Sequence, residues 1–312
     1  MALYFLRRVL LAIVTVILAV TLLYVMIQAV PGDPATIILG PRATPEIIAA
    51  LRAKMGLDEP FHIQILTFFA DLARGDMGTD VFTNRPVSQI VFEQLPYTIT
   101  LILASIAWAA LLGIPLGCYS AIRRNTFIDK LTGVLSVSTI SIPPFVLALY
   151  ALLIFSVGLG WLPAIGAGEG FWDQLEHLIL PAFTIGVTWV GYLARLVRAS
   201  MLEILGENHV RMARAFGLPE RRIVFRYALP LAILPTITLL GVGMAYLLSY
   251  AVFAEVVFAR PGIGALIVDA VDSRNYPIVM GCVLVTTGLF VVSTTLADLL
   301  IALLDPRARE NL

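Results

Sequence analysis

The sequence predicts an all-α membrane protein with six transmembrane helices. The chain has 312 residues, of which 59% are hydrophobic and only 13% are charged, whereas about 25% of the residues in soluble domains carry a charge. The mean hydropathy is +0.92. A soluble chain of this length could not bury so much apolar surface in one core. The same composition excludes a disordered chain and a small disulfide-linked scaffold.

Six apolar runs are long enough to cross a bilayer, since a hydrocarbon core of about 30 Å needs about 20 helical residues. The first run follows Arg7 and Arg8 but is too long for the apolar core of a signal peptide, so we interpret it as an uncleaved helix. Pro143 and Pro144 predict a kink in the third run. The predicted spans are residues 9–30, 98–122, 131–157, 178–194, 231–252 and 278–304.

The basic residues predict that both termini are cytoplasmic. The formal net charge of zero argues against a nucleic-acid partner, but it conceals an asymmetry between the two sides. With the N-terminus inside, seven basic residues fall outside and fourteen fall in the cytoplasmic segments, as the positive-inside rule requires. The fourteen are Arg7, Arg8, Arg123, Arg124, Lys130, Arg195, Arg198, Arg211, Arg214, Arg221, Arg222, Arg226, Arg307 and Arg309.

The first large segment outside the spans, residues 31–96, is predicted to be periplasmic and to contain a helix. Thr44 suits the N-cap, Pro45 the first helical position and Glu46 the positive end of the helix dipole. Gly56 is a natural C-terminal stop. Two interpretations remain open, a lid packed on the helix bundle and a docking surface for an external partner.

The second large segment, residues 195–230, is predicted to be a basic cytoplasmic elbow of two short helices. Gly217 can end the first helix, Pro219 can occupy the first position of the next, and Pro230 can end that one. Ala213 and Ala215 are small enough for the close approach of another backbone. The alternative is an amphipathic helix that lies on anionic lipid.

The sequence lacks the motifs of nucleotide-binding and metal-dependent enzymes. No GxxxxGK[ST] loop and no HExxH pair is present, and the three histidines fall in three separate segments. The predicted spans also contain few ionisable residues, whereas ion-coupled carriers usually need them. A transport protein energised by a partner is therefore favoured, with a secondary carrier or an intramembrane enzyme as the alternatives from other classes.

At the cytoplasmic elbow the chain resembles the inner-membrane permeases of binding-protein-dependent ABC importers for dipeptides, oligopeptides, nickel chelates and glutathione. That signature reads EAA, three residues, Gly, nine residues, then I-x-Leu-Pro. Ala213 and Gly217 match it, as do Leu229 and Pro230, whereas Arg211-Met212 replace the leading Glu-Ala and Tyr227 replaces the isoleucine. Ala213-Arg214-Ala215-Phe216-Gly217-Leu218 also resembles the A-R-A-K-G-L of the peptide branch, with Phe216 in place of lysine.

Further matches follow in the family's order along nearly the whole chain. Arg274-Asn275-Tyr276-Pro277 resembles its R-D-Y-P motif, with Asn275 in place of aspartate. The other matches are Val30-Pro31-Gly32-Asp33-Pro34, Gly56-Leu57-Asp58-Glu59-Pro60, Gly75-Asp76-Met77-Gly78, Arg85-Pro86-Val87, Pro261-Gly262-Ile263-Gly264 and Leu304-Asp305-Pro306-Arg307.

The resemblance implies the six-helix fold of type I ABC importer permeases in a bacterial inner membrane. It divides the chain into an N-terminal segment with the first helix (1–30), a periplasmic segment (31–96), the importer transmembrane domain (97–305) and a cytoplasmic tail (306–312). The implied partners are a second homologous permease, two ATPases that bind ATP and Mg, a periplasmic or lipid-anchored substrate-binding protein, and membrane lipid. The chain itself is expected to hold no cofactor and no metal.

The same resemblance implies where the permease couples to ATP hydrolysis and what it carries. Small peptides are the expected substrate of alternating access, and glutathione or a nickel chelate is the alternative. The residues expected to couple to the ATPase are Ala213, Arg214, Ala215, Phe216, Gly217, Leu218, Leu229 and Pro230. The polar and aromatic candidates for the substrate path, on the second, third and fifth spans, are Thr98, Thr100, Ser141, Tyr246, Ser249, Tyr250 and Glu255.

Overall fold

The computed structural model describes residues 2–29, 31–40 and 43–304. The predicted tail 306–312, the motif Asp305-Pro306-Arg307 and the basic residues Arg42 and Arg309 lie outside this range. The described residues are almost entirely helical and contain no strand, with one isolated antiparallel bridge between Thr79 and Pro86. The helices are α1 (Ala2–Ala29), α2 (Pro34–Leu39), α3 (Pro45–Lys54), α4 (Phe61–Ala73), α5 (Val87–Ile122), α6 (Phe127–Ser141), α7 (Pro144–Ala151, continued by a π-helical turn Leu152–Gly158), α8 (Phe171–Leu205), α9 (Asn208–Ala215), α10 (Glu220–Arg222, continued by a π-helical turn Ile223–Ala228), α11 (Leu229–Ala232), α12 (Leu234–Val257), α13 (Ile263–Asp272) and α14 (Tyr276–Leu304).

Five helical stretches are long and apolar enough to cross a membrane, and the bent pair α6–α7 makes a sixth if it counts as one span. This agrees with the six predicted spans. The two helices of the pair meet at 100°, because Ile142 and Pro143 each precede a proline and are extended, with ψ of 125° and 137°. The five stretches are Arg7–Ile27, Val87–Ile122, Phe171–Leu205, Glu220–Gly241 and Tyr276–Leu299.

One helix end predicted around the elbow is wrong, and one predicted span is part of a longer helix. Residues 178–194 were predicted to cross the membrane, and α8 extends beyond them to Leu205. Pro230 was predicted to end a helix, but it does not. It lies in the first turn of α11, where a missing N–H removes no internal hydrogen bond.

The chain divides into two compact units, and the first comprises Met1–Tyr97 with Pro261–Val291. Its α3 begins as predicted, with Thr44 at the N-cap and Pro45 in the first turn. Gly56 follows the helix with φ of +66°. The N–H of Leu57 donates to the carbonyl of Arg52 at 3.0 Å, which is the bond that closes a Schellman motif. The sequence therefore predicted this helix and both of its ends.

A buried carboxylate, that of Asp80, holds together the loop that precedes α5. It accepts hydrogen bonds from the hydroxyl and the N–H of Thr83 and from the side-chain amide of Asn275, which lies just before α14. Burial raises the pKa of Asp80, but these hydrogen bonds outweigh it, and the net pKa is lowered. Asn275, at the position where the resembled motif has aspartate, thus donates to a carboxylate in this chain.

The second unit, Thr98–Arg260 with Val292–Leu312, is built around α8, the most buried of the five membrane-crossing stretches within the described residues. The neighbouring helices lie so close to α8 that their backbones are in contact with it. A Cβ on Gly191 of α8 would lie 2.7 Å from the carbonyl oxygen of Ser136 on α6, and one on Gly117 of α5 would lie 2.5 Å from that of Ala194. Small residues permit such close contacts between membrane helices.

We predict that Asn275→Asp destabilises the first unit by about 2–3 kcal/mol at pH 7, because it places a second carboxylate against Asp80 and removes a donor from it. Thermal unfolding of the purified chain in detergent measures the loss. Adding Asp80→Asn should recover most of it by restoring one donor and one acceptor. The loss should also shrink as the pH falls, because one of the two facing carboxyls has a raised pKa, takes up a proton and then donates to the other. A double variant no more stable than Asn275→Asp would contradict the pairing.

Candidate coupling segment and substrate path

A bidentate ion pair anchors the C-terminal half of α8. Arg198 donates from Nε to Oδ1 of Asp129 at 2.5 Å and from Nη2 to Oδ2 at 2.9 Å. The hydroxyl of Ser120 on α5 and the N–H of Asn125 donate to the same carboxylate at 2.5 Å and 2.9 Å. Asp129 is buried in the first turn of α6. All its acceptor sites are used, so α5, α6 and α8 are locked together at this level.

The predicted coupling segment begins just after α8 and has the form of an elbow. The helix α9 ends at Ala215, and Gly217 has φ of +77°. The N–H of Gly217 donates to the carbonyl of Arg214 at 2.9 Å, and that of Leu218 donates to the carbonyl of Ala213 at 3.2 Å. This is a second Schellman motif, which fixes the direction in which the chain leaves α9. Pro219 then serves as the N-cap of α10, one residue earlier in that helix than predicted.

The coupling residues divide into an inner and an outer set. Ala213 is buried with Val210 and Ile223, and Leu218 packs against them. Arg214 donates to Glu220 at 2.7 Å and also reaches the carbonyl of Leu205. Ala213 thus packs inside the elbow, whereas Arg214 is exposed and its ion pair with Glu220 ties α9 to α10.

The outer set presents apolar side chains to the exterior. Phe216 is 79% exposed and Met212 is 61% exposed. Ala215 and Gly217, the two neighbours of Phe216 in the chain, are also exposed. Phe216 and Met212 are thus two large apolar side chains of this segment that its own fold leaves exposed. Of the other two predicted residues, Leu229 is partly buried and Pro230 is exposed.

Two predicted substrate-path residues, Tyr246 and Tyr250 of α12, share a cavity of about 230 Å³ with Trp189 and Tyr192 of α8. Leu239 and Gly243 complete the lining. The rings of Trp189 and Tyr192 are 5.9 Å apart. Ser249 is exposed on the same helix but does not line the cavity.

The other predicted path residues lie elsewhere. Thr98 and Glu255 contact each other, because the threonine hydroxyl donates to the glutamate at 2.6 Å and both side chains are buried. Glu255 is therefore inside the second unit, where it was expected to meet an ammonium group from outside. Thr100 is exposed on α5, and the hydroxyl of Ser141 donates to the carbonyl of Val137 at the end of α6. Neither lines the cavity.

The sequence analysis missed Trp189, Tyr192 and the Asp129–Arg198 pair. The available signal for the two aromatic residues was their spacing of three within an apolar run, which places them on one helix face. The ion pair had no comparable signal, because its members are 69 residues apart. Among the described residues, no group of three or more His, Cys, Asp or Glu is arranged to hold a metal ion.

Comparison with known proteins assigns this architecture to a family. The family described as "Binding-protein-dependent transport system inner membrane component" matches residues 113–310, and its N-terminal companion matches residues 1–102. The chain belongs to this family. It is the permease subunit of an ABC importer, a multi-pass protein of the bacterial inner membrane and not an enzyme. Such a system works with a substrate-binding protein and with ATPase subunits.

Curated relatives match the permease over its full length. The glutathione transport system permease protein GsiC of Salmonella paratyphi A is 37% identical over 98% of both chains. A probable peptide ABC transporter permease of Sinorhizobium fredii is 35% identical over 99% of this chain and all of the relative.

Solved structures share the fold of the permease. An inward-facing structure of the MetNI methionine ABC transporter has a TM-score of 0.55 at 18% identity, over 70% of this chain and 97% of the other. An amino acid ABC transporter with histidines has a TM-score of 0.50 at 18% identity, over 70% and 94%.

We predict that Asp129→Asn lowers the free energy of unfolding of the permease by about 3 kcal/mol, because Arg198 loses its partner in a largely buried site. The double variant Asp129→Asn/Arg198→Gln removes both charges but keeps an acceptor for Ser120 and Asn125, and it should recover much of that loss. Thermal unfolding of the single and the double variant in detergent measures both losses of stability. Equal losses in the single and the double variant would show that the charges do not act as a pair.

Proposed function

We propose that this permease imports small peptides, together with a second homologous permease, two ATPases that bind ATP and Mg, and a periplasmic or lipid-anchored binding protein. ATP-driven closure of the ATPases moves the coupling segment and switches the pore between inward-facing and outward-facing states. The observation that carries this proposal is the rigid elbow with its exposed Phe216. Both termini are cytoplasmic, so the elbow and the ATPases lie on the same side.

Phe216 and Met212 are the anchors of the ATPase contact. Large apolar side chains dominate binding when a partner buries them, and these two make little contact within the chain. Leu218 and Arg214 hold them in place through the inner face of the elbow. Leu229 and Pro230 connect the elbow to α12. Gly217 provides the turn, which only a residue with positive φ can form.

The periplasmic segment 31–96 receives the binding protein. A cavity of about 270 Å³ opens within the first unit beside α3 and α4, and its lining includes Lys54, Glu59, Asp71 and Asp76. A segment that served only as a lid would present a closed surface. A cavity with charges of both signs offers complementary contacts to a docking protein.

The names of the relatives favour two substrates, a peptide and glutathione, which is itself a tripeptide. We expect complexes reconstituted in proteoliposomes to import radiolabelled Ala-Ala, with unlabelled peptide as competitor and omission of ATP as the control. Uptake of glutathione with no uptake of the dipeptide would replace the main proposal by the second candidate. Uptake by this chain alone would contradict both, because a permease requires its ATPases.

We predict that Phe216→Ala weakens binding of the ATPase by about tenfold to a hundredfold, the range of an interface anchor, and leaves the thermal stability of the chain unchanged. Surface plasmon resonance between the detergent-purified permease and its ATPase measures this. Phe171→Ala is the matched control, since Phe171 is 73% exposed at the start of α8 and should leave binding intact. Equal effects of the two substitutions would contradict the assigned contact.

A further inference from the structure

The cavity between α8 and α12 is lined mainly by aromatic side chains. Trp189 and Tyr192 lie near the middle of α8, and Tyr246 and Tyr250 lie in the C-terminal half of α12. Tryptophan and tyrosine in membrane helices concentrate where an apolar ring can meet a polar surrounding. Four of them around one cavity therefore favour a polar or aqueous surrounding there over hydrocarbon.

The tyrosine hydroxyls indicate that this face meets water or a polar ligand. Tyr246 is 62% exposed, and within the part of the chain that the structure describes the hydroxyls of Tyr192, Tyr246 and Tyr250 have no protein partner. A tyrosine hydroxyl that faces hydrocarbon without a hydrogen bond is strongly unfavourable, whereas one in an aqueous path costs little. Ser249, exposed beside Tyr246, adds a further hydroxyl to this face.

The floor of the cavity is built to hold one aromatic ring in place. Trp189 is buried, and a Cβ on Gly243 would lie 2.3 Å from its Cη2 atom. The six-membered ring thus rests on the backbone of α12, and any side chain at position 243 would displace it. Tyr192, Tyr246 and Tyr250 remain as the walls around the open space.

We propose that this aromatic cavity is a transient seat for the α-ammonium group of the transported peptide. None of the lining residues is a carboxylate or a basic side chain, so the cavity attracts a cation through the ring faces and has no positive charge to repel it. The hydroxyls of the tyrosines can hydrogen-bond the adjacent peptide groups. Without a fixed counter-ion the seat is weak enough for the peptide to leave it. This inference rests on the proposed peptide substrate.

Two substitutions of Tyr246 distinguish the contribution of its ring from that of its hydroxyl. In reconstituted complexes with saturating loaded binding protein, we measure Ala-Ala imported per ATP hydrolysed. Tyr246→Phe keeps the ring face and should stay within about twofold of wild type. Tyr246→Leu removes it and should lower the ratio about tenfold while ATP hydrolysis continues. The matched control is Tyr150→Leu on α7, where the tyrosine is 60% exposed and lies outside the cavity.

Three outcomes would overturn the seat: unchanged import by Tyr246→Leu, equal losses in the Phe and Leu variants, and an equal loss in Tyr150→Leu. A second measurement replaces Tyr246 by the photoreactive residue p-benzoylphenylalanine. Radiolabelled Ala-Ala should attach there during turnover and not at position 150. Equal labelling at the two positions also overturns the proposal. Dipeptide import by the wild-type complex tests the proposed function separately, because it does not depend on Tyr246.

Discussion

The second unit depends on the close packing of α8 against its neighbours. In lipid there is little hydrophobic driving force for helices to associate. Their association is instead stabilised by close backbone packing and by buried polar interactions. Gly117 and Gly191 provide the contact, with spaces too small for any side chain. Asp129 and Arg198 provide the polar bonds, in a geometry that leaves no acceptor of the carboxylate unused. Together they make α5, α6 and α8 move as one body.

In the proposed mechanism, α8 connects the coupling segment to the aromatic cavity. Trp189 and Tyr192 line the cavity near the middle of the helix, Arg198 lies further along, and the elbow begins just beyond Leu205. From Trp189 to Leu205 an α-helix rises by about 24 Å. Under the proposed function, a continuous helix joined to two neighbours carries a displacement of the elbow over that distance. Two discrete packings of helices are a usual basis of such switching.

The departures of this chain from the family signatures acquire physical reasons in the structure. Asn275 stands where the resembled motif has aspartate, and here its amide donates to the side chain of Asp80. Arg214 pairs with Glu220 of the same elbow. Phe216 stands in place of the lysine of the peptide branch and adds an exposed apolar ring to the elbow.

The sequence by itself determined the membrane class, six apolar spans, the helix that starts at Thr44 and the glycine turn at Gly217, because hydropathy, proline and glycine act locally. It also marked Tyr246 and Tyr250. Only the tertiary structure decided that Glu255 is buried against Thr98, that α8 continues past Arg195, and that Trp189 and Tyr192 complete the cavity. These outcomes depend on partners far away in the chain. A charge or an aromatic ring has the same sequence signal whether it faces lipid, water or a partner, and only packing distinguishes them.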